Sequence, residues 1–246
     1  MKKQFQILAA TFITVAIISC SKEKNEMTET SSTNEEIATS SSSNRPYVDP
    51  LTISLEARFE FNSNLKDVTK KLTDGVSSKR VASYGTDRKG IAKAALYLDS
   101  TYSVKINDVP QQTNTSLSVW VKPSHLDNGS GGIVTNQVVG PRVLQSADRF
   151  LGTVATITNT PGAYVDIFNT SWHHVVVSFD GAYVRVYLNG ALKATVPHDG
   201  SIAPNLVDYV LGWSTIWQNF WKGYIDDLRF YSRTLSASDV QKLYNL

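Results

Sequence analysis

Residues 171–190 constrain this chain most. They read Ser-Trp-His-His-Val-Val-Val-Ser-Phe-Asp-Gly-Ala-Tyr-Val-Arg-Val-Tyr-Leu-Asn-Gly. Val175, Val177 and Phe179 alternate with Val176 and Ser178, so one side of an extended segment can face a core. Asp180-Gly181 supplies a tight turn, because glycine tolerates positive φ. Val184, Val186 and Leu188 then alternate with Tyr183, Arg185 and Tyr187 on a return strand. Asn189-Gly190 marks a second turn, and Ala191 to Val196 can add a third strand. Three strands joined by dipeptide turns form a meander, the pattern of an antiparallel sheet.

The same alternation recurs along the chain. Phe59 to Phe61 reads as a strand running into the polar turn Asn62 to Asp67. Ala94 to Asp99, Tyr102 to Ile106 and Leu117 to Pro123 are extended segments, with Leu117, Val119 and Val121 on one face and Trp120 on the other. Ile133 to Thr135, Arg149 to Val154, Tyr164 to Phe168 and Tyr209 to Leu211 are further, shorter strands. Asp127 to Gly132 reads as a loop, and Gln137 to Asp148 carries no recognisable feature. After Lys222 to Tyr231, Ser236 and Asp239 predict a capped helix with Val240, Leu243 and Tyr244 on its apolar stripe. Short strands separated by turn signals predict an all-β, two-sheet antiparallel sandwich with a short C-terminal helix.

The first fifty residues have another character. Lys2 and Lys3 precede the apolar run Phe5 to Ile18, which is shorter than a membrane span of about 20 residues requires. The run ends Ile17-Ile18-Ser19-Cys20, which resembles the lipobox of bacterial lipoproteins, with Cys20 as the lipidated thiol. A plain signal peptide with an incidental cysteine is the alternative. Cys20 is the chain's one cysteine, so no intrachain disulfide can form. Acyl chains on Cys20 would anchor the protein to a membrane, each buried methylene contributing about 0.8 kcal/mol. Ser21 to about Pro50 is rich in Ser, Thr, Asn, Glu and Lys and reads as a flexible tether. The organisation expected is therefore a leader over 1–20, a tether over 21–50 and one β domain over 51–246. Export to a bacterial outer membrane or cell surface follows from the leader. A formal net charge of +2 and 19% charged residues provide no field suited to nucleic acid.

Several phrases in order resemble LamG-like jelly-roll domains of the concanavalin A-like superfamily. They are Phe59 to Asp67, the loop Asp87-Arg88-Lys89-Gly90, Trp120-Val121-Lys122, Trp172 to Gly190, and Gly223-Tyr224-Ile225-Asp226-Asp227-Leu228-Arg229-Phe230-Tyr231. Ser100 departs from the pattern, which has glycine there. The resemblance spans about Phe59 to Tyr244 and implies a jelly roll. It also implies one structural calcium, with Asp67, Asp87, Asp226 and Asp227 as candidate ligands. The alternative is that Asp67 caps a turn and Asp226 makes an internal hydrogen bond.

Glucanases of this superfamily use two glutamates on one strand. The expected domain holds only Glu56 and Glu60, both on its first strand, and no Glu-x-Asp-x-x-Glu pattern. Asp226 and Asp227 are adjacent in a strand, which predicts opposite faces and no shared bond. His173 and His174 should likewise point apart, which suits packing better than zinc. A sugar site would pair flat rings with amide or hydroxyl groups. Trp213, Trp217 and Phe220 with Gln218 and Asn219 are such a set, with packing over one end of the sandwich as the alternative; Trp221 is expected in the core. The function expected is a surface-anchored, non-catalytic module recognising carbohydrate or a glycosylated partner. A structural or protein-interaction subunit, or an atypical hydrolase, are the alternatives.

Overall fold

The structure, a computed structural model, describes residues 48–126, 130–156, 158–198, 200–214 and 217–246. Cys20 and the leader lie outside the described residues, as does all of the predicted tether up to residue 47. The tether's last residues belong to the fold: Asp49 Oδ1 accepts from Leu51 N at 2.9 Å, and Arg233 Nη2 donates to Pro50 O at 2.9 Å.

In chain order the strands are β1 (Leu55–Phe59), β2 (Val76–Ser77), β3 (Ser83–Gly85), β4 (Ala95–Asp99), β5 (Val104–Gln111) and β6 (Thr115–Pro123). There follow β7 (Ser130–Asn136), β8 (Gly140–Ser146), β9 (Arg149–Ala155), β10 (Gly162–Asp166), β11 (His173–Phe179) and β12 (Tyr183–Leu188). The last are β13 (Ala191–Pro197), β14 (Asn205–Leu211), β15 (Trp213–Ser214), β16 (Asn219–Phe220) and β17 (Lys222–Tyr231), before helix α1 (Ala237–Tyr244). One sheet runs β13-β12-β11-β6-β17-β4-β3, with β1 paired to the second half of β17. The other runs β10-β9-β8-β7-β14-β5-β2, and β15 and β16 form a separate hairpin. Their pairings are antiparallel. The predicted two-sheet sandwich and C-terminal helix are therefore what is observed.

The meander forms as the alternation predicts. Val175, Val177, Phe179, Val184, Val186 and Leu188 enter the core between the sheets, with Leu117, Val119 and Val121 of β6 and Val143, Phe150 and Tyr209 of the second sheet. Asn189 (φ 52°) and Gly190 (φ 80°) are both left-handed, as the tight β12–β13 turn requires. The first turn is one residue longer than Asp180-Gly181: Asp180 Oδ1 accepts from Ala182 N at 3.0 Å and Tyr183 N at 2.7 Å.

Three segments differ from expectation. Gln137 to Asp148 contains β8, a central strand whose polar residues Arg142 and Gln145 hide its alternation. Ser130 to Gly132 extends β7 instead of forming a loop. Tyr164 lies in β10, but Phe168 falls beyond its end.

The outer face of the first sheet is also covered. Val176, Tyr187 and Tyr231 join Leu51, Leu55, Leu235, Val240 and Leu243 in a second apolar cluster beneath α1 and the chain's entry segment. Helix α1 starts with a full capping box between Ser236 and Asp239, which satisfies otherwise orphaned amides.

Candidate functional site

The paired aspartates of β17 are not arranged as a regular strand dictates. Between Asp226 and Arg229 the register against β6 shifts, and Asp227 has φ 44°. This is a β-bulge, in which one extra residue is left opposite the partner strand. It keeps Ile225 and Leu228 in the core while Asp226 and Asp227 both meet Arg88. The expectation that the two carboxylates face opposite ways is overturned, because the period of two holds only without such an insertion.

Around them stand three guanidinium groups. Arg229 Nε and Nη2 donate to the two Asp227 oxygens, both at 2.9 Å. Arg58 Nε donates to Asp227 Oδ1 at 3.0 Å, and Arg88 Nη1 donates to Asp226 Oδ2 at 2.5 Å. Burial pushes the Asp227 carboxyl up, but the hydrogen bonds and charges of Arg229 and Arg58 outweigh it and hold it below the usual range. For Asp226, burial and the Asp227 charge outweigh Arg88 and push the carboxyl up to about 6. The neighbouring cleft, about 220 Å³, also takes in Glu60, Asp87 and Lys89.

Calcium fits this arrangement poorly. Asp87, Asp226 and Asp227 line one cleft, but arginines already pair with both β17 carboxylates. A divalent cation there would displace or oppose those guanidinium groups. Asp67 stands apart, in the turn after β1. Its Oδ1 accepts from Arg58 N and Thr69 N, and its Oδ2 from Thr69 Oγ1, Lys71 N and Leu72 N. Asp87 Oδ1 accepts from Lys89 N and Ile91 N. Among the described residues, no three His, Cys, Asp or Glu side chains converge as a metal site. The four aspartates together do not make one calcium cage; three organise turns or arginines beside one cleft, and Asp67 organises another turn.

The histidines do point apart. His173 faces the core side, where its ring meets Phe150 edge-on at 5.9 Å. Its Nε2 donates to Asn169 O at 3.2 Å and its Nδ1 accepts from Asn189 Nδ2 at 3.3 Å, a pattern that suits the neutral ring. His174 lies on the outer face between Trp120, 5.1 Å away, and Tyr244, 6.1 Å away.

The predicted ring set sits on the β15–β16 hairpin. Trp213 and Phe220 pack with centroids 4.5 Å apart. Trp213, Trp217 and Asn219 are half-buried, whereas Gln218 and Phe220 are exposed. Asn219 Nδ2 donates to Ser130 O, and Thr135 Oγ1 donates to Trp213 O at 2.7 Å. The hairpin thus lies on β7. A Cβ on Gly132 would come 2.5 Å from Trp213 O and 2.7 Å from Ser214 N. Gly132→Ala is expected to push the hairpin away and cost roughly 1–3 kcal/mol, read by denaturant unfolding. Trp221 is buried in the core, its Nε1 donating to Gln145 Oε1 at 2.6 Å.

A second ring-bearing feature escapes sequence reading. Where β10 ends and β12 turns into β13, a pocket of about 510 Å³ opens between the sheet edges. Val165, Ile167, His173 and Leu188 are its buried residues, while Tyr164, Asp166, Phe168, Asn169 and Lys193 are more open. The available signal was two rings four residues apart, with Asp166 between them and Asn169 following, in a segment read only as a short strand.

Two large antiparallel sheets packed as a sandwich, with one short C-terminal helix, are the architecture of a concanavalin A-like jelly roll. Residues 98–241, more than half of the chain, match the model of the concanavalin A-like lectin/glucanases superfamily, and the chain belongs to that family. No curated protein matches the sequence. Among solved structures, the receptor-binding domain of botulinum neurotoxin mosaic serotype C/D has a TM-score of 0.61 at 17% identity, covering 78% of this chain and 50% of that one. The binding domain of serotype D/C VPI 5993 has a TM-score of 0.64 at 12% identity, with 78% and 52% covered. Domain 4 of the extracellular arabinanase AbnA from Geobacillus stearothermophilus, solved with arabinotriose, has a TM-score of 0.56 at 22% identity, with 78% and 98% covered. The chain thus spans about half the length of the toxin domains and nearly all of the arabinanase domain.

Proposed function

We propose that this domain is a non-catalytic binding module for carbohydrate or a glycosylated partner, held at a bacterial membrane surface through lipid on Cys20. The observation that carries the reading is the β15–β16 hairpin, which offers the Trp217 and Phe220 rings beside the exposed Gln218 amide, while the Asn219 amide fastens the hairpin to β7 through Ser130 O. Rings cover the apolar face of a sugar and amides pair with its hydroxyls. Two further facts support binding over hydrolysis. Asp226 and Asp227 share Arg88 at the foot of a small cleft and are committed to ion pairs, and the arabinanase domain of similar fold was solved with a bound saccharide.

The binding test is an oligosaccharide panel with the full-length chain. Saturable binding that weakens roughly tenfold in Trp217→Ala, a loss of about 1.4 kcal/mol, is the expected result. Unchanged affinity would remove the hairpin from the site. The anchor is tested separately by labelling with a fatty-acid analogue in a bacterial host. Cys20→Ala is expected to abolish the label and release the protein from membranes; retained label would place the lipid elsewhere.

A further inference from the structure

We infer that the pocket between the β10–β11 connection and the β12–β13 turn is a binding site for a neutral oligosaccharide, separate from the hairpin. This rests on the binding-module reading above and adds a site to it. The first observation is Phe168, 87% exposed. A single exposed ring is ordinary on a protein surface, but exposed apolar groups gathered at the rim of a pocket mark a binding site. The Phe168 segment is tied down on both sides: Ile167 N donates to Asp148 O at 2.7 Å, and Asn169 O accepts from His173 Nε2 of β11 at 3.2 Å. The ring is therefore displayed on a held loop.

A second ring stands at the same pocket. Tyr164 is 49% exposed and the Arg149 guanidinium lies 4.5 Å from its centroid. That contact holds the ring by cation–π attraction. The pocket floor is equally fixed, since His173 bridges Asn169 O and Asn189 Nδ2, and Asn189 Oδ1 accepts from His174 N at 2.9 Å. Such prior ordering lowers the entropy lost on binding.

The lining also selects a ligand class. Beside the rings stand one carboxylate, Asp166, one ammonium, Lys193, and the Asn169 amide. Hydroxyl groups both donate and accept, so they can pair with all three. The Asp166 and Lys193 charges balance, which provides no net attraction for an acidic sugar. At about 510 Å³ the space lies within the roughly 300–1,000 Å³ usual for small-molecule pockets.

The test titrates the full-length chain with neutral and uronate-containing tri- and tetrasaccharides, then repeats the best ligand with Phe168→Ala, Lys193→Ala and Trp217→Ala. The expected result is a neutral ligand bound at least tenfold more weakly by Phe168→Ala, with Lys193→Ala also weakened and the melting temperature of both variants unchanged. Saccharide binding that Phe168→Ala and Lys193→Ala leave within twofold, while Trp217→Ala weakens it, would overturn this site and leave the binding-module reading standing. Binding of uronates alone would overturn the neutral class. Absence of binding to every saccharide would overturn both the site and the reading.

Discussion

Asp227→Asn is expected to cost the fold about 3–5 kcal/mol, the range for removing one member of a buried ion pair. The Asp227 side chain is buried, and it is the carboxylate shared by Arg229 and Arg58, with Arg88 3.7 Å away. Arg229 is itself buried, so loss of the charge leaves a guanidinium with neither water nor anion. Asparagine keeps the shape and tolerates the left-handed backbone at this position, which isolates the electrostatic part. Asp227→Ala should cost roughly 1 kcal/mol more, from backbone strain. Combining Asp227→Asn with Arg229→Met should recover part of the loss, because the stranded charge is removed as well. Urea unfolding of the three variants decides the matter. A loss below about 1 kcal/mol for Asp227→Asn would mean the arginines find other partners.

The second large effect is a dependence on acid through His174. Burial holds its ring down at about 3, against an ordinary 6.5, with the Asp227 charge only partly offsetting it and Arg88 and Arg229 adding to it. The unfolded chain therefore takes up a proton near pH 6.5 that the folded chain refuses until about pH 3. The stability contributed by the neutral ring is fully present above pH 6.5 and falls by about 1.4 kcal/mol per pH unit as pH drops toward 3. Burial shifts His173 in the same direction. Asp226 acts oppositely: its folded value of about 6 lies above its ordinary 3.8, so its contribution is present below 3.8 and lost as pH rises through 6. Comparison with His174→Gln separates these terms. The stability advantage of the unsubstituted chain should shrink by about 1.4 kcal/mol for each pH unit below 6.5, as measured by denaturant unfolding at several pH values. An advantage that stays constant with pH would show that His174 titrates normally in the fold.

Much of the fold was legible because its causes are local. The alternation of Val175, Val177 and Phe179, the left-handed preference of Asn189-Gly190 and the Ser236–Asp239 cap each act over a few residues. The central strand β8 was not legible. Buried on both faces, it carries Arg142 and Gln145 at enclosed positions, where polar partners replace the expected apolar residues. The candidate sites were legible as residue types rather than as places. The hairpin rings were found because they cluster within eight residues, whereas the Phe168 pocket forms only when β10, its following connection, β11, β12 and β13 fold so that residues between Tyr164 and Lys193 meet at the sheet edges.

The amino-acid order alone determined that this chain would make short antiparallel strands, pair them through tight turns and finish with a capped helix. Those outcomes depend on φ preference, side-chain period and neighbouring hydrogen bonds. Only the folded molecule decided where Asp226 and Asp227 point. A one-residue bulge against β6 reverses the expected alternation, and arginines from two distant segments then enclose both charges. Register and remote partners are properties of the assembled sheet, and no window of sequence contains them.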